Sequence, residues 1–514
     1  MQKLKYTVIL IILLFNLGSN YSYSQGMNSH WLLGYDVGLF DTNVVSTKAV
    51  FQFDSLGYSL DPSNFKMPFR AAQSTLSDEL GNLNMVTNGC WIADATGDTM
   101  LNGGGLLQNS FSVNWCDAIS GIPMAHTSIF VPHPIDSNLV YLLHQSGTSS
   151  SNYKSSGLYF TLVDKTLNNG LGGVVTGQKN QLVFSMGLNP GMSVCKHANG
   201  RDWWVLTMKD SSDIVYVNLL SPSGFSAPVG YSLGFSPAAI NFIGQMNFSP
   251  DGRKFAYSYY LGNFGAFNYY TRIADFDRCS GLFSNSIQLT FTDPNPGLGL
   301  CFSPDSKKLY ISSTRKIVQF NIDTSNIAAS LDTVAINDGY YSPYPPLQSD
   351  FWLMTLAANG KIYISSGSSV IDLHYINYPD SDGVACDIMQ HSIRLPCYSI
   401  RGHVYHPNYY LGCDTTLGCP CLVSTGLNEN GKHDFSIKLS PNPGSAGFEI
   451  LYLLPQNKNG ILSVYDLQGR LMHKQSLPPW SAMQHIPTSN WAGGVYQVRI
   501  ESDGYFSTSK WVKF

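Results

Sequence analysis

One short stretch of this sequence is written several times over. Phe248-Ser-Pro-Asp-Gly-Arg-Lys-Phe-Ala-Tyr-Ser258 nearly recurs as Phe302-Ser-Pro-Asp-Ser-Lys-Lys-Leu-Tyr-Ile-Ser312, with a weaker copy at Leu356-Ala-Ala-Asn-Gly-Lys-Ile-Tyr-Ile-Ser365. His197-Ala-Asn-Gly-Arg-Asp-Trp-Trp-Val-Leu206 has the same turn before the same strand, and Phe130-Val-Pro-His-Pro-Ile-Asp-Ser-Asn-Leu-Val-Tyr-Leu142 is a lengthened form. Asn84-Met-Val-Thr-Asn-Gly-Cys-Trp-Ile-Ala93 reads as the first copy. Aligned on Trp91, Tyr141, Trp204, Ala256, Tyr310 and Tyr363, the copies lie 50, 63, 52, 54 and 53 residues apart. A period of this length fits one four-stranded blade of a β-propeller. Within the unit, proline fixes φ and Asp-Gly makes a tight turn between two strands. The alternating run that follows buries one face against a neighbour. A single unit cannot bury that face, so the set must close on itself.

Dividing region 27–415 by this period predicts an all-β fold, a propeller of about seven blades, with six or eight as the neighbouring counts. A solenoid or a pair of sandwiches is the alternative architecture. The Phe-Ser-Pro-Asp-Gly units resemble those of the WD40-like propellers of periplasmic TolB-type proteins and of many exported bacterial proteins. More loosely, the stretch from His30-Trp-Leu-Leu-Gly34 to His406-Pro-Asn-Tyr-Tyr-Leu-Gly412 resembles exported Bacteroidetes propellers. Composition agrees. Charged residues are only 12%, and 30 Lys and Arg face 34 Asp and Glu. No cation surplus exists to displace phosphate counterions, so no nucleic-acid partner is expected. Aromatics at 13% are too many for a disordered chain.

Both ends of the chain carry addresses. Lys3 and Lys5 precede the apolar run Val8 to Phe15, and a small polar stretch follows, so 1–25 reads as a signal peptide. That run is too short to span a bilayer, and no transmembrane segment is expected in the mature chain. Ten cysteines in an exported protein suggest disulfides. Their connectivity is open; Cys386 with Cys397, and the cluster Cys413, Cys419 and Cys421, are candidates by proximity.

After a linker over 416–434, residues 435–514 alternate through short strands expected at 436–440, 447–453, 460–466, 470–476, 484–487, 494–502 and 507–513. Seven strands in so short a span predict a small immunoglobulin-like β-sandwich. Leu439-Ser-Pro-Asn-Pro443, Val464-Tyr-Asp-Leu-Gln-Gly-Arg470, Gly494-Val-Tyr-Gln-Val-Arg-Ile500 and Lys510-Trp-Val-Lys-Phe514 appear in that order. Together they resemble the type A C-terminal sorting domain of the Bacteroidetes type IX secretion system. The resemblance implies the secretion machinery as a partner, passage through the outer membrane, and release or attachment at the surface. It marks Pro441, Asn442, Pro443, Asp466, Gly469, Arg470, Gly494, Tyr496, Lys513 and Phe514 as the sorting signal.

Spacings that carry catalysis are missing. There is no Gly-x-Ser-x-Gly elbow, no His-Glu-x-x-His and no phosphate-cradling Gly-x-x-x-x-Gly-Lys loop. No catalytic, cofactor-binding or metal-ligating residue is singled out, and no cofactor is expected. His126 with His133, and His403 with His406, flank strands and read as packing or turn residues rather than metal pairs. Asp275, Asp277 and Arg278 read as a strand-end cap. Lys196, His197, Arg201 and Asp202 form either a polar rim or a bracket around a blade turn. Trp203, Trp204, Tyr259, Tyr260, Tyr269, Tyr270, Tyr340, Tyr341 and Tyr344 offer aromatic faces for a sugar or peptide, although adjacent residues on a strand point to opposite faces and about half should be core. The expected role is a secreted or surface-attached binding, adhesion or scaffold module for a glycan or protein ligand. An extracellular hydrolase or lyase with its site at the propeller channel is the alternative.

Overall fold

The computed structural model describes residues 26–36, 44–53, 57–116, 121–149, 152–234, 243–263, 265–297, 299–343, 346–402, 404–422, 437–452, 454, 459–477, 483–502 and 505–514. The expected signal peptide and most of the expected linker lie outside the described residues. The chain divides into two compact units, one over 25–431 and one over 432–514.

The first unit is a succession of antiparallel meanders. Ile243–Phe248, Lys254–Asn263, Ala266–Phe276 and Phe283–Asp293 pair in that order, as do Leu300–Phe302, Lys308–Ser312, Lys316–Asn321 and Asp332–Ile336. Met354–Leu356, Ile362–Ile364, Val370–Ile376 and Ile388–Ser399 form the last set. Two three-stranded sheets open the unit: His30–Leu33, Lys48–Phe53 and Tyr58–Ser63, then Ser74–Ser77, Leu83–Thr87 and Ile92–Asp94. Between these lies a ten-stranded sheet over 128–232 whose long strand Gln181–Lys196 serves two meanders. Its first half pairs with Asn152–Asp164, and Met192 to Lys196 pair with Trp203–Lys209. The register shifts between them, around Gly191 at φ +106°.

The recurring sequence unit is one recurring turn. Gly252 N donates to Ser249 O at 2.7 Å, and Arg253 N donates to the Asp251 carboxylate at 3.0 Å. Ser306 N to Ser303 O (3.0 Å) and Lys307 N to Asp305 Oδ1 (3.0 Å) repeat the pattern, although Ser306 then occupies φ +62° where the other copies have glycine. Asn359 and Asn199 supply the side-chain acceptor in two further copies, to Lys361 N and Arg201 N. These are Asx turns, which fix the first hairpin of each meander locally. The copy expected at Asn84–Ala93 falls one strand too late. The equivalent turn is Asp78-Glu-Leu-Gly81, where Gly81 N reaches Asp78 O at 3.0 Å and Leu80 N reaches Asp78 Oδ1 at 2.8 Å.

First strands of successive meanders neighbour one another: His30–Leu33 beside Ser74–Ser77, Ser74–Ser77 beside Ser128–Pro132, and Gln181–Lys196 through Ile243–Phe248 and Leu300–Phe302 to Met354–Leu356. The last meander packs back on the first, with Trp31, Phe51 and Phe53 against Tyr363, Leu373 and Ile393. The Trp31 and Tyr363 rings meet at 5.5 Å. This closed ring of meanders is a β-propeller.

After Ser399 the chain does not leave the ring. Tyr405 is buried and its hydroxyl meets Ser193 Oγ at 2.9 Å; Tyr409 donates to Phe130 O at 2.9 Å; Asn408 donates to Pro250 O at 2.8 Å. Arg253 pairs with Asp414 at 2.7 Å, and the buried Arg278 donates to Gly412 O at 2.8 Å. Residues 404–422 thus form a strap across the ring. Disulfides Cys413–Cys421 and Cys279–Cys419 hold it, and Cys90–Cys116 joins two loops near the second sheet. The Cys386–Cys397 pairing suggested by proximity is not made: both are buried free thiols. They flank most of the strand Ile388–Ser399, and at roughly 3.3 Å per residue they stand on the order of 30 Å apart, far beyond bridging range. The Cys279–Cys419 bridge spans 140 residues. Replacing both cysteines by serine is expected to cost about 3–5 kcal/mol, measured as a lower urea midpoint. A loss below about 1 kcal/mol, the size of a dispensable contact, would mean that the ion pair and hydrogen bonds alone hold the strap.

In the second unit, Lys438–Ser440, Gly447–Leu451 and Met483–Pro487 make one sheet; Leu471–Leu477, Gly460–Tyr465, Gly494–Ser502 and Tyr505–Lys513 make the other. Their apolar faces share one core, Phe448, Ile450 and Ile486 from the first sheet with Leu462, Val464, Val498, Ile500 and Trp511 from the second.

Candidate functional site

Ring closure gathers the approaches to the first strands around a cavity of about 230 Å³. Positions as distant in sequence as Ala71, His126, Gly191, Gln245, Leu353 and Arg401 line it.

Its polar centre is Gln245. The side-chain Oε1 accepts from Leu300 N at 3.0 Å and from Met354 N at 2.8 Å, so one amide ties three meanders together. Those two donors fix the amide orientation, and Nε2 donates to Met354 O at 2.8 Å and faces His126 Nε2 at 3.0 Å. His126 Nε2 is therefore the acceptor, and the neutral ring carries its proton on Nδ1. Burial pushes the His126 pKa down to about 3, which keeps that tautomer neutral. Its backbone sits at φ +56° while its carbonyl accepts from Met192 N at 2.9 Å. The ring meets Tyr405 of the strap at 4.4 Å in a tilted contact.

The rim is cationic and aromatic. The Arg401 guanidinium lies 5.6 Å from the centre of the Trp352 ring, and Arg70 lies 5.0 Å from that of Trp115. Trp115 sits on the helix Ser110–Cys116, whose last residue is the disulfide partner of Cys90. Burial, and then the like charge of Arg401, hold Arg70 below the ordinary arginine range. Tyr153 also lines the cavity, and among the described residues no carboxylate does.

Residues singled out from sequence fall elsewhere. His197 Nδ1 accepts from Asn199 N at 2.9 Å, and Arg201 pairs with Asp202 at 2.7 Å, so the Lys196–Asp202 cluster brackets a blade turn. Asp277 Oδ1 caps Cys279 N at 2.8 Å, and Asp275 pairs with Lys254. Trp203 and Trp204 are both buried, one in each of two neighbouring cores. Tyr259 and Tyr269 are core, Tyr260, Tyr270 and Tyr340 half-buried, and Tyr341 exposed. Tyr344 and His403 lie outside the described residues. His133 stacks on Tyr141 at 5.5 Å at the far end of the strand from His126, and the half-buried His406 meets Thr75 Oγ1 at 2.9 Å. Among the described residues no group of three His, Cys, Asp or Glu could hold a metal ion.

One pair imitates a nucleophile and its base. Ser349 Oγ lies 3.1 Å from His374 Nε2. However, His374 Nδ1 accepts from His391 N at 2.9 Å, so Nε2 carries the proton and donates to the serine. His374 cannot take the Ser349 proton in this arrangement.

In the second unit, the residues marked as sorting signal mostly hold the two sheets in place. Pro441 O accepts from Trp511 Nε1 at 2.8 Å, and Asn442 bonds Lys510 O at 2.7 Å and Val512 N at 3.0 Å. Pro443 is exposed beside them, and Gly494 opens the strand Gly494–Ser502. Asp466 Oδ1 accepts from Gln468 N and Arg470 N, each at 2.9 Å, and Oδ2 from Arg470 Nε at 2.7 Å; Gly469 supplies φ +77° in that turn. Tyr496 donates to Ala492 O at 2.6 Å and Lys513 Nζ to Thr488 O, while the Phe514 side chain is exposed.

Residues 438–513 match the family described as "Secretion system C-terminal sorting domain". The chain therefore carries the tail that directs export through type IX secretion, to the cell surface or the extracellular space. No helix among the described residues is long and apolar enough to cross a membrane. None of the curated proteins matches this chain. Among solved structures, a fungal alcohol oxidase of the AA5 family in complex with copper is 10% identical with TM-score 0.37, covering 95% of this chain and 96% of its own. A putative TolB from Agrobacterium tumefaciens is 15% identical with TM-score 0.30, covering 55% of this chain and 87% of its own. A quinoprotein alcohol dehydrogenase-like protein from Bacteroides thetaiotaomicron is 11% identical with TM-score 0.29, covering 74% and 95%. These TM-scores are low; the propeller is defined by the ring of meanders itself.

Proposed function

We propose that this protein is a secreted or surface-attached binding module: a seven-bladed propeller that takes a glycan or protein ligand at its axial cavity, followed in the chain by an immunoglobulin-like sorting sandwich. The observation that carries this reading is the cavity, lined from most of the ring. The count of seven is supported by the long strand Gln181–Lys196, which pairs with two different meanders and can be divided between two blades. Propellers place ligand sites where blade loops converge, and loops on a rigid scaffold are where function concentrates. The hydrolase alternative has less support, because no described lining residue is a carboxylate and the histidine is locked neutral.

Two experiments test the reading. Deleting 436–514 is expected to trap the chain inside the outer membrane; normal arrival at the surface or in the medium would overturn the export assignment. Ala125 lines the cavity and is half-buried. Ala125→Phe should fill the space and abolish binding of the labelled full chain to surface glycans or proteins, with its unfolding midpoint unchanged. Undiminished binding would move the site off the axis.

A further inference from the structure

The sorting unit has a protein to meet, because export through type IX secretion depends on its being received there. Most of its marked residues are spent on the fold itself: Asn442, Asp466, Tyr496 and Lys513 all bond main-chain groups of their own unit. What the unit leaves open is an edge. Tyr505–Lys513 is the last strand of its sheet, nine residues long and paired along its length only with Gly494–Ser502. That register runs without a shift, so alternate residues turn their N–H and C=O away from the sheet throughout. They are the even-numbered ones. Lys510 O accepts from Asn442 Nδ2 at 2.7 Å, Val512 N donates to Asn442 Oδ1 at 3.0 Å, and Val512 O accepts from Gly444 N at 2.9 Å. Asn442 and Gly444 thus cap the edge from Lys510 to the end of the strand. Phe506 and Thr508 turn the same groups outward, and among the described residues nothing bonds them. Their side chains are exposed, with the Arg499 guanidinium 4.3 Å from the Phe506 ring. Folded proteins blunt such edges with bulges, prolines or very short strands. The other edge of this sheet, Leu471–Leu477, has a register shift where it meets Tyr465. In the smaller sheet Lys438–Ser440 is three residues long, and Met483–Pro487 ends on a proline. The uncapped half of Tyr505–Lys513 has no such protection.

We infer that the edge at Phe506 and Thr508 takes an added β-strand from a protein of the type IX machinery, held by main-chain hydrogen bonds to the outward groups of those two residues. The Asn442 cap fixes where the added strand must stop. Strand addition draws its affinity from main-chain groups and its selectivity from alternate side chains, here Phe506 and Thr508. A receptor that reads an edge needs the unit folded more than it needs any one side chain, which leaves the marked residues free to build the fold. A second copy of this chain is the competing occupant; the machinery is favoured because the unit is a sorting tail. The inference stands apart from the propeller and from any ligand bound there.

Two measurements on the full chain test it. Thr508→Pro removes the outward N–H without breaking a bond to Gly494–Ser502, and an edge strand tolerates proline where its N–H faces away from the sheet. This variant should keep the unfolding midpoint of the C-terminal unit and lose arrival at the surface or in the medium. Thr508→Val keeps the N–H, changes only the side chain, and should be exported normally. The second measurement leaves the main chain intact. In producing cells, photoactivatable benzoylphenylalanine placed at position 508 should cross-link the chain to a type IX machinery protein, identified by mass spectrometry. The same probe at position 476, exposed on the opposite edge strand, should give no such product. Normal export of a folded Thr508→Pro chain overturns the inference, and so does a Thr508→Val chain that fails to be exported. If Thr508→Pro lowers the midpoint, the cross-link decides. A product made only of two copies of this chain, no product, or equal product from position 476 overturns the inference.

Discussion

Trp511→Ala is expected to unfold the C-terminal unit and stop export. Trp511 is fully buried where the two sheets meet, its ring 4.6 Å from Phe448, 5.9 Å from Tyr496 and 6.3 Å from Trp491. Its Nε1 also ties the last strand to Pro441 O. Cutting such a residue to alanine costs about 3–5 kcal/mol. A single core below about 80 residues supplies stability of that same order, so the loss takes most of what the unit has. Thermal unfolding of the purified chain should lose one transition and keep that of the propeller, and in cells the variant should remain inside the outer membrane. Phe514→Ala is the companion. Its ring is 77% exposed, so removing it should change stability by less than about 0.5 kcal/mol. If Phe514→Ala blocks export with the fold intact, the terminal ring is read by the secretion machinery; if it exports normally, the motif acts through the fold. A folded, exported Trp511→Ala would show that this core is not what export requires.

Features set by neighbouring residues were legible in the sequence. All seven strands expected after residue 435 form, each shifted by no more than two residues at either end: 436–440 appears as Lys438–Ser440, for example, 470–476 as Leu471–Leu477 and 494–502 as Gly494–Ser502. Strict alternation and turn residues are local signals, and the core of this unit obeys them. The Asx turns of the propeller were legible for the same reason. Where the local signal fades, so does the reading. Asp78-Glu-Leu-Gly81 makes the turn without the Phe-Ser-Pro lead, so the first copy was sought a strand too late. The site was not legible at all. Nothing near Gln245 in the chain announces that its amide will bridge Leu300 and Met354, or that Arg401 will line one cavity with Ala71 and His126. The same holds for Cys279 and Cys419, which only the strap brings together.

The propeller is expected to lose stability steeply as pH falls from 7 to 5, because four histidines are sealed inside it as neutral acceptors or donors. Burial pushes His126, His144 and His374 down to about 3, and His406 to about 4. Each has its place in the hydrogen bonding: His126 with Gln245, His144 with Thr161 Oγ1 at 3.0 Å, His374 between Ser349 and His391, and His406 with Thr75. In the unfolded chain they titrate near 6.5. Between that value and the folded ones the unfolded state binds more protons, so stability is complete above about 6.5 and drains away as pH falls toward 4 and then 3. From pH 7 to 5 the loss is about 2 kcal/mol per histidine, about 8 kcal/mol for the four as an upper bound. Asp380, held up at about 6 by burial and by the Asp305 carboxylate, acts in the opposite sense, as do Asp350 and Asp372, which burial also raises, while His30, His133 and His197, lowered by burial, act with the four. Carboxylates held low, such as Asp275 and Asp414, act in the same direction only below the usual carboxylate range. Urea midpoints of the propeller transition at pH 7, 6 and 5 measure the slope. His406→Gln keeps an acceptor for Thr75 and removes one titrating group, so it should flatten the slope by about a quarter. A profile level from pH 7 to 5, or a slope untouched by that substitution, would mean that these rings gain protons in the folded state as readily as in the unfolded one.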